Sequence, residues 1–390
     1  MLDFIRQEDC TGCGACSNIC PVHCIDMVKG NGGFLYPTAN ETCIKCNKCR
    51  QVCPVYSHFT EKKPEVLQKA YAAVSQDYNV WKESSSGGAF SEICRAFGTC
   101  DTVIFGAEFQ GLDVVHSYSI GAEQISKFRH SKYVQSEIGD TYKEAEKFLK
   151  QGKKVIFSGT PCQIAGLRSY LKRDYENLLC IDLICHGVGS PEIFRNMIQR
   201  DAKKHSSEVD AYTFRVKKIR FGNYEPYTSF IHLKNNKQMY IEKDAYNRLF
   251  LNQLVLRKSC GENCKFRNSN RMGDLTIGDF KNKNRLLPER SKDFRNYSTI
   301  VVNSNKGLKL MELLKSRMEV YSFHLDDLKQ SNPLFFTTTQ GNPMRDKFFE
   351  DYAAGNDIEK YIPKDSKKQL LKKWIPFRLK ATVNQLLKRK

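Results

Sequence analysis

The first 53 residues hold two copies of one cysteine pattern, and this repeat constrains the fold more than any other feature of the chain. Each copy reads C-x2-C-x2-C-x3-C-P; the first spans residues 10–21 and the second residues 43–54. Three cysteines within seven residues require tight turns, and Gly12 and Gly14 provide the backbone freedom for one of them. The repeat therefore predicts a small module in which two groups of thiols converge.

Runs with this spacing are typical of bacterial two-cluster ferredoxins, where each run gives three thiolates to one 4Fe–4S cluster and its fourth to the other. Structural zinc usually binds two C-x2-C pairs separated by a longer loop, and disulfides need an oxidising compartment, so both alternatives fit poorly. Cys24 lies outside the pattern and is interpreted as a packed thiol. The predicted ligand sets are Cys10, Cys13, Cys16 and Cys53 for one cluster, and Cys43, Cys46, Cys49 and Cys20 for the other.

Composition places this module in a larger redox protein. The chain has 390 residues, 41% of them hydrophobic, which is enough for two or three domains. No apolar run reaches the ~20 residues of a membrane span, and the first ten residues lack the form of a signal peptide. Sixteen cysteines without such a signal indicate a reducing compartment. We expect a cytoplasmic protein.

The net charge of +19 is unevenly distributed. Residues 1–60 carry five basic and five acidic side chains, so the excess lies beyond them. The last 24 residues hold nine Lys or Arg and no acid, and Trp374, Ile375 and Phe377 give this tail an apolar side suited to peripheral membrane contact. Such charge also attracts acidic proteins, phosphate-bearing cofactors or nucleic acid. Nucleic acid is the least favoured of these, because no recognised binding module accompanies the charge.

The pattern of strands and helices predicts an α+β chain: a two-cluster ferredoxin module, an α/β core with a mixed sheet, and a helical C-terminal tail. A polar segment at 55–67 separates the module from short strands at 70–74, 101–109 and 114–120. Strand–loop–helix units follow at 153–173 and 178–201. The predicted domains are 1–60 for the ferredoxin-type module, 68–150 and 151–325 for the two parts of the core, and 344–390 for the basic tail.

Three loops follow predicted strands of the core, where ligands of open α/β sheets bind. They are SSSGG at 84–88, SGTPC at 158–162 and CHG at 185–187. The first two precede helices, whose N-termini attract phosphate groups. For SSSGG, an ordinary serine cap followed by a glycine turn is the simpler interpretation.

These loops belong to an ordered set of motifs that resembles the coenzyme F420 hydrogenase/dehydrogenase beta-subunit family over roughly residues 68–320. The set also includes FRHSKYVQS at 128–136, ICHGVGSPEIF at 184–194, and a cysteine pair ahead of GDLTIGDF at 273–280. The resemblance implies an iron–sulfur flavoprotein that binds FAD. It would pass electrons between clusters and a substrate, which is a deazaflavin in the founding members. Related bacterial proteins occur among reductases and in surface-polysaccharide synthesis.

The resemblance also implies site residues. Cys162, Cys185, Cys260 and Cys264 become candidates for a third 4Fe–4S cluster, the alternative being separately packed thiols. His186 becomes a candidate for protonating a reduced flavin or the substrate, the alternative being an ordinary loop histidine. The implied FAD contacts are Ser86, Gly87, Gly88, Ser131, Lys132, Gly159 and Thr160.

Three departures from the family pattern bear on these residues. The cysteine pair has three intervening residues where the family usually has two, Lys281 replaces a frequent tryptophan, and His130 stands where relatives tend to have glycine. The contour of those loops is therefore expected to differ.

We predict an oxidoreductase that relays electrons between 4Fe–4S clusters and a bound flavin. Its substrate would be a deazaflavin-like, nicotinamide or other organic molecule, and polysaccharide synthesis is one pathway in which it could act. An electron-transfer subunit without its own substrate is the main alternative, and an iron–sulfur nucleic-acid binder is a third. The expected partner is ferredoxin or another oxidoreductase subunit.

Overall fold

The computed structural model describes residues 2–56, 64–220, 223–224, 227–262 and 264–365. The N-terminal segment contains two short helices, each within a cysteine run, and an antiparallel hairpin between them. Gly14 precedes the first helix with a φ of 73°, a left-handed conformation that glycine adopts without strain. The elements are α1 (Ala15–Ile19), β1 (Ile25–Lys29), β2 (Leu35–Ala39) and α2 (Lys48–Gln51).

Beyond residue 68, strands and helices alternate along the described chain. The strands are β3 (Lys69–Ser75), β4 (Val103–Gln110), β5 (Asp113–Ile120), β6 (Val155–Gly159), β7 (Leu178–Leu183), β8 (Val209–Thr213), β9 (Ile219–Arg220), β10 (Asn223–Tyr224), β11 (Thr228–Leu233), β12 (Gln238–Glu242), β13 (Leu275–Phe280), β14 (Tyr297–Val302) and β15 (Met318–Phe323). The helices are α3 (Tyr78–Lys82), α4 (Ala89–Phe97), α5 (Thr141–Lys150), α6 (Pro161–Leu171), α7 (Pro191–Lys203), α8 (Ala245–Leu251), α9 (Lys283–Leu286), α10 (Asn305–Leu314), α11 (Leu328–Ser331) and α12 (Arg345–Ala353).

Eight strands form one mixed sheet in the order β15-β3-β14-β13-β7-β6-β4-β5. The neighbours β13, β7, β6 and β4 run parallel to one another, while the flanking pairs are antiparallel. Parallel strands buried on both faces carry continuous apolar runs, as residues 155–157 and 178–181 do. The predicted α/β core with a mixed sheet is confirmed.

Helices cover both faces of this sheet. On one face, α4 and α10 bury Ile93, Leu310 and Met311 against alternate residues of the strands. On the other face, α5 and α6 bury Tyr142 and Ile164, and the cysteine-rich module joins the same hydrophobic cluster. The N-terminal module therefore packs directly on the helical layer that covers the parallel strands.

Both predicted core intervals, 68–150 and 151–325, contribute strands to the eight-stranded sheet. A smaller sheet, β12-β11-β8, lies between α7 and α8 along the chain. In the predicted basic tail, α12 begins the segment, and residues 366–390 lie outside the described part of the chain. None of the helices in the described ranges is long and apolar enough to cross a membrane.

Candidate redox centres and cofactor cleft

The first predicted set of cysteines surrounds one cavity. Cys10, Cys13, Cys16 and Cys53 line one cavity, together with apolar residues such as Leu2. Burial raises the pKa of Cys13 to about 12, so this thiol stays protonated unless a cation binds beside it. The cavity, which combines four thiols and an apolar wall, suits a 4Fe–4S cluster.

The second set lies at the surface. Cys43 and Cys46 are exposed, whereas Cys20 is buried. The thiol of Cys24 is 3.4 Å from that of Cys20 and also within hydrogen-bonding reach of Cys43. Cys24, interpreted from the sequence as a packed thiol, is indeed buried, but it lies against members of this set.

The third set comes from loops at the carboxyl ends of two parallel strands and from a distant turn. Cys162 is in the first turn of α6, after β6, and Cys185 follows β7. The Gly187 N–H donates to the sulfur of Cys185 (3.3 Å), and a Cβ placed on Gly187 would be 3.1 Å from the Cβ of Cys260. Burial raises the pKa of Cys185 to about 12, with Cys260 and Cys264 contributing to the rise.

No three His, Cys, Asp or Glu side chains in the described residues are spaced to share a single metal ion. The four thiols of the first set are related by the cavity that they share, and those of the third set by their proximity to one another.

Close contacts join the first set to the third. A Cβ on Gly166, in α6, would be only 3.2 Å from the sulfur of Cys13, so the helix can approach that thiol because position 166 has no side chain. The Tyr142 hydroxyl lies 2.8 Å from the carbonyl oxygens of both Cys13 and Gln163. Cys162, on the same helix, is close enough to Cys13 for their charges to interact.

A large cleft opens beside the third set. Its volume is about 1620 Å³ including the mouth, and its walls come from the carboxyl ends of β6, β7 and β13 and from the loop at 128–134. Of the predicted cofactor contacts, all but Gly87 line it. The lining residues predicted from the sequence are Ser86, Gly88, Ser131, Lys132, Gly159, Thr160, Cys185 and His186.

The SSSGG loop is held against the strands beneath it. Ser86 donates to the carbonyl of Tyr297 (2.7 Å), and the Gly87 N–H donates to the Ser298 hydroxyl (2.9 Å). A Cβ on Gly87 would lie 2.2 Å from the carbonyl oxygen of Ala73, so only glycine fits there. Gly88 (φ 95°), and no serine side chain, precedes α4, so the serine-cap interpretation does not agree with this geometry.

Family models match three regions of this chain. The model for the C-terminal part of the coenzyme F420 hydrogenase/dehydrogenase beta subunit matches residues 152–326. Two models described as 4Fe-4S dicluster domains match residues 9–57 and 42–103. Residues 152–326 belong to the F420 hydrogenase/dehydrogenase beta-subunit family.

The family resemblance inferred from the motifs is thereby confirmed over residues 152–326, and the ferredoxin-type N-terminal module over residues 9–57; the chain is an iron–sulfur electron-transfer protein. No curated protein matches the sequence. Similar solved structures include a chain of the F420-reducing [NiFe] hydrogenase complex from Methanosarcina barkeri. The similarity covers 75% of this chain and 94% of that chain, with 16% identity and a TM-score of 0.46. A likeness this distant does not establish a shared function.

Lys132 does not present a free ammonium group to the cleft. Its Nζ donates to the carbonyls of Arg129 (2.6 Å) and Lys127 (3.0 Å), and so holds its own loop. Burial lowers the pKa of Lys132 to about 7. Ser131 is also engaged, because its N–H donates to the Ser85 hydroxyl (2.8 Å).

An arginine outside every predicted motif also takes part in forming the cleft. Arg215 contacts both carboxylate oxygens of Asp279 (3.0 and 2.9 Å) and donates to the Ser85 carbonyl (3.0 Å). Asp279 belongs to the GDLTIGDF motif, but Arg215 lies 64 residues earlier in a segment without a recognisable pattern. Only its partner carried a sequence signal.

Three histidines in the cleft wall have an unpaired ring nitrogen. Nε2 of His186 and the Nδ1 atoms of His130 and His116 are buried without a hydrogen-bond partner in the described residues. Burial, assisted by Arg267, lowers the pKa of His186 to about 4, and burial also lowers that of His130 to about 4. Both rings are therefore neutral at pH 7, whereas the sequence interpretation assumed a His186 pKa near neutrality.

Proposed function

We propose that this chain is an iron–sulfur flavoprotein oxidoreductase with FAD in the cleft and a third 4Fe–4S cluster beside it. One observation carries the proposal: the third set of thiols connects the first set to the cleft. Cys162 lies on the helix that packs against Cys13 through Gly166 and is close enough for the two thiolate charges to interact, and Cys185 lines the cleft wall. Such an arrangement supports electron transfer between the dicluster module and a cofactor in the cleft.

The cleft suits an anionic dinucleotide cofactor. The N-terminal residues of α4 and the residues just before α6 line it, and helix N-termini favour phosphate groups through their free N–H groups and dipoles. The unpaired nitrogens of His130 and His186 offer further hydrogen-bonding positions. The residues present therefore fit FAD, and Thr160 and Ser131 are its predicted polar contacts.

FAD would supply the conversion between two-electron and one-electron chemistry. The contribution of the protein is to hold a neutral imidazole at 186, whose unpaired Nε2 offers a hydrogen-bonding position to the cofactor or the substrate. The His186 ring also packs 5.2 Å from Phe250, so its orientation is restrained. We therefore propose that His186 orients the reacting part of the cofactor or the substrate by a hydrogen bond, because its low pKa makes it a weak base at pH 7.

Anionic organic molecules such as a deazaflavin or a nicotinamide nucleotide are the proposed substrates. Arg129, Arg215 and Lys281 line the cleft, and Asp279 is its acidic lining residue among those described. We also propose that the protein works with a separate redox protein, either a ferredoxin-like carrier or another oxidoreductase subunit.

Anaerobic reconstitution with iron, sulfide and FAD tests the proposal. We expect about 12 irons per chain for three clusters, falling to about 8 in Cys185→Ser if that residue holds the third cluster. One bound FAD per chain is expected. The matched control is Cys94→Ser, a buried thiol of α4 in the hydrophobic cluster on the other face of the sheet, which should retain the full iron content.

Two results would contradict parts of the proposal. Absence of flavin binding would exclude the flavoprotein assignment, and about 8 irons in the wild-type chain would exclude the third cluster. Flavin binding without turnover of any nicotinamide or deazaflavin substrate would favour the alternative of an electron-transfer subunit.

A further inference from the structure

The two predicted ligand sets of the N-terminal module differ in exposure. Cys10, Cys13 and Cys53 are buried near the core, whereas Cys43 and Cys46 are exposed. Electron transfer between proteins slows steeply with distance, so an external carrier must approach a cluster closely. The surface set is the only one of the two that the described chain leaves open to such an approach.

The segment around this set has a distinct surface. Residues 40–48 are all exposed, and Ile44 has 60% of its surface accessible, which is unusual for so apolar a side chain. Lys45, Lys48 and Arg50 are exposed around it, and Glu41 is the acidic residue of the segment. We call residues 41–50 the entry patch.

The cations of the entry patch are not neutralised by the part of the chain that the structure describes. No carboxylate there pairs with Lys45, Lys48 or Arg50. By contrast, Arg6 in the same module pairs with Glu8 (2.9 Å) and Asp9 (2.7 Å). The module has no net charge as a whole, so the positive field is local to the exposed cysteines.

We propose that the entry patch docks a small acidic one-electron carrier protein of the flavodoxin or ferredoxin kind. An apolar centre with a cationic rim matches a partner whose cofactor edge is apolar and ringed by acids. This proposal rests on the proposed function only in requiring a 4Fe–4S cluster at Cys43, Cys46, Cys49 and Cys20.

The proposed reaction at the entry patch is the transfer of one electron from the carrier to the cluster. The reduced carrier would lose one electron, and a 4Fe–4S cluster held by this set would go from the 2+ to the 1+ level, with no bond made or broken and no proton moved. Two successive encounters would supply the two electrons that a flavin needs.

Stopped-flow mixing with flavodoxin hydroquinone tests the docking. The full chain is reconstituted with iron and sulfide but without FAD, so the result does not depend on flavin binding. Oxidation of the carrier is followed by its semiquinone absorbance, at low and at high salt. The variant reverses three patch charges: Lys45→Glu, Lys48→Glu and Arg50→Glu. The matched control reverses three exposed cations elsewhere: Lys203→Glu, Lys237→Glu and Lys309→Glu.

At low salt we expect the patch variant to react at least about tenfold more slowly than wild type, and the control within about twofold. The wild-type rate should fall as salt is added, because exposed charges are screened. Iron content and reduction by a viologen radical should match wild type in both variants, which separates a docking defect from cluster loss. Equal rates in the two variants, or a rate insensitive to salt, would overturn the proposal. Failure of the wild-type chain to bind iron would instead refute the proposed function.

Discussion

Arg257 is a buried cation between the dicluster module and the core, and its replacement should change a cluster potential. Only 1% of its surface is accessible. Its guanidinium donates to the carbonyls of Cys10 (2.7 Å) and Leu35 (3.0 Å), and it lies 4.1 Å from the ring of Tyr36. No carboxylate of the described residues pairs with it. A buried charge without a counter-charge is costly, so we infer that the four-thiolate cluster beside Cys10 balances it.

The size of the effect follows from Coulomb's law. A unit charge roughly 8 Å from the cluster centre, in an effective dielectric of about 20, stabilises one added electron by about 2 kcal/mol. For a one-electron couple this corresponds to about 90 mV. Arg257→Met should therefore lower the reduction potential of the first cluster by about 50–100 mV, because the reduced and more negative form loses a nearby cation.

Potentiometric titration followed by electron paramagnetic resonance measures this shift. Arg257→Lys keeps the charge but loses the planar set of donors, so its potential should stay near that of wild type while its thermal stability falls. The control Arg248→Met, which breaks a partly buried ion pair with Asp365, should leave the reduction potential of the cluster unchanged. A potential for Arg257→Met equal to that of wild type, together with reduced stability, would show that Arg257 is a structural anchor and would refute the electrostatic reasoning.

Three further predictions concern the core, the pH response and the tail. Gly87→Ala should destabilise the fold by about 3 kcal/mol in denaturant titrations, because its Cβ would overlap the Ala73 carbonyl. The control Ser86→Ala, which loses one hydrogen bond, should lower the free energy of unfolding by about 1 kcal/mol. Equal losses in the two variants would contradict the steric argument. Burial lowers the pKa of His116 to about 4. Between about pH 4 and 6.5 the unfolded chain therefore binds more protons than the folded chain. The free energy of unfolding should rise with pH across that window and level off above it. His116→Phe should reduce this slope in thermal melts at stepped pH, and an unchanged slope would exclude the assignment. A chain ending at Ser366 should float less with anionic liposomes than the full chain, and equal flotation would remove membrane contact by the tail.

Local patterns predicted much of the fold. The apolar runs at 70–74 and 101–109 correspond to β3 and β4, because strand periodicity and burial are properties of short segments. The strand–loop–helix unit at 153–173 corresponds to β6 and α6 for the same reason. The order of strands in the sheet depends on long-range pairing, and no local pattern specified it.

The candidate site was predictable only where a motif marked it. The spacing of the runs led to the prediction that Cys53 joins Cys10, and the structure brings both to one cavity. The position of Cys24 could not be inferred, because it depends on how the hairpin folds back on the second run. The carbonyl contacts of Lys132 and the pairing of Arg215 likewise depend on loop conformation and on residues far away in sequence.

The central claim is that electrons pass from the dicluster module through the third thiol set to a flavin in the cleft. Its most direct test is stopped-flow reduction of the FAD-loaded chain by a reduced flavodoxin or ferredoxin, with cluster and flavin absorbance followed separately in wild type and Cys185→Ser. We predict that flavin reduction follows cluster reduction in wild type, and that in Cys185→Ser the N-terminal clusters are reduced while the flavin stays oxidised. Flavin reduction at the wild-type rate in Cys185→Ser would contradict the account.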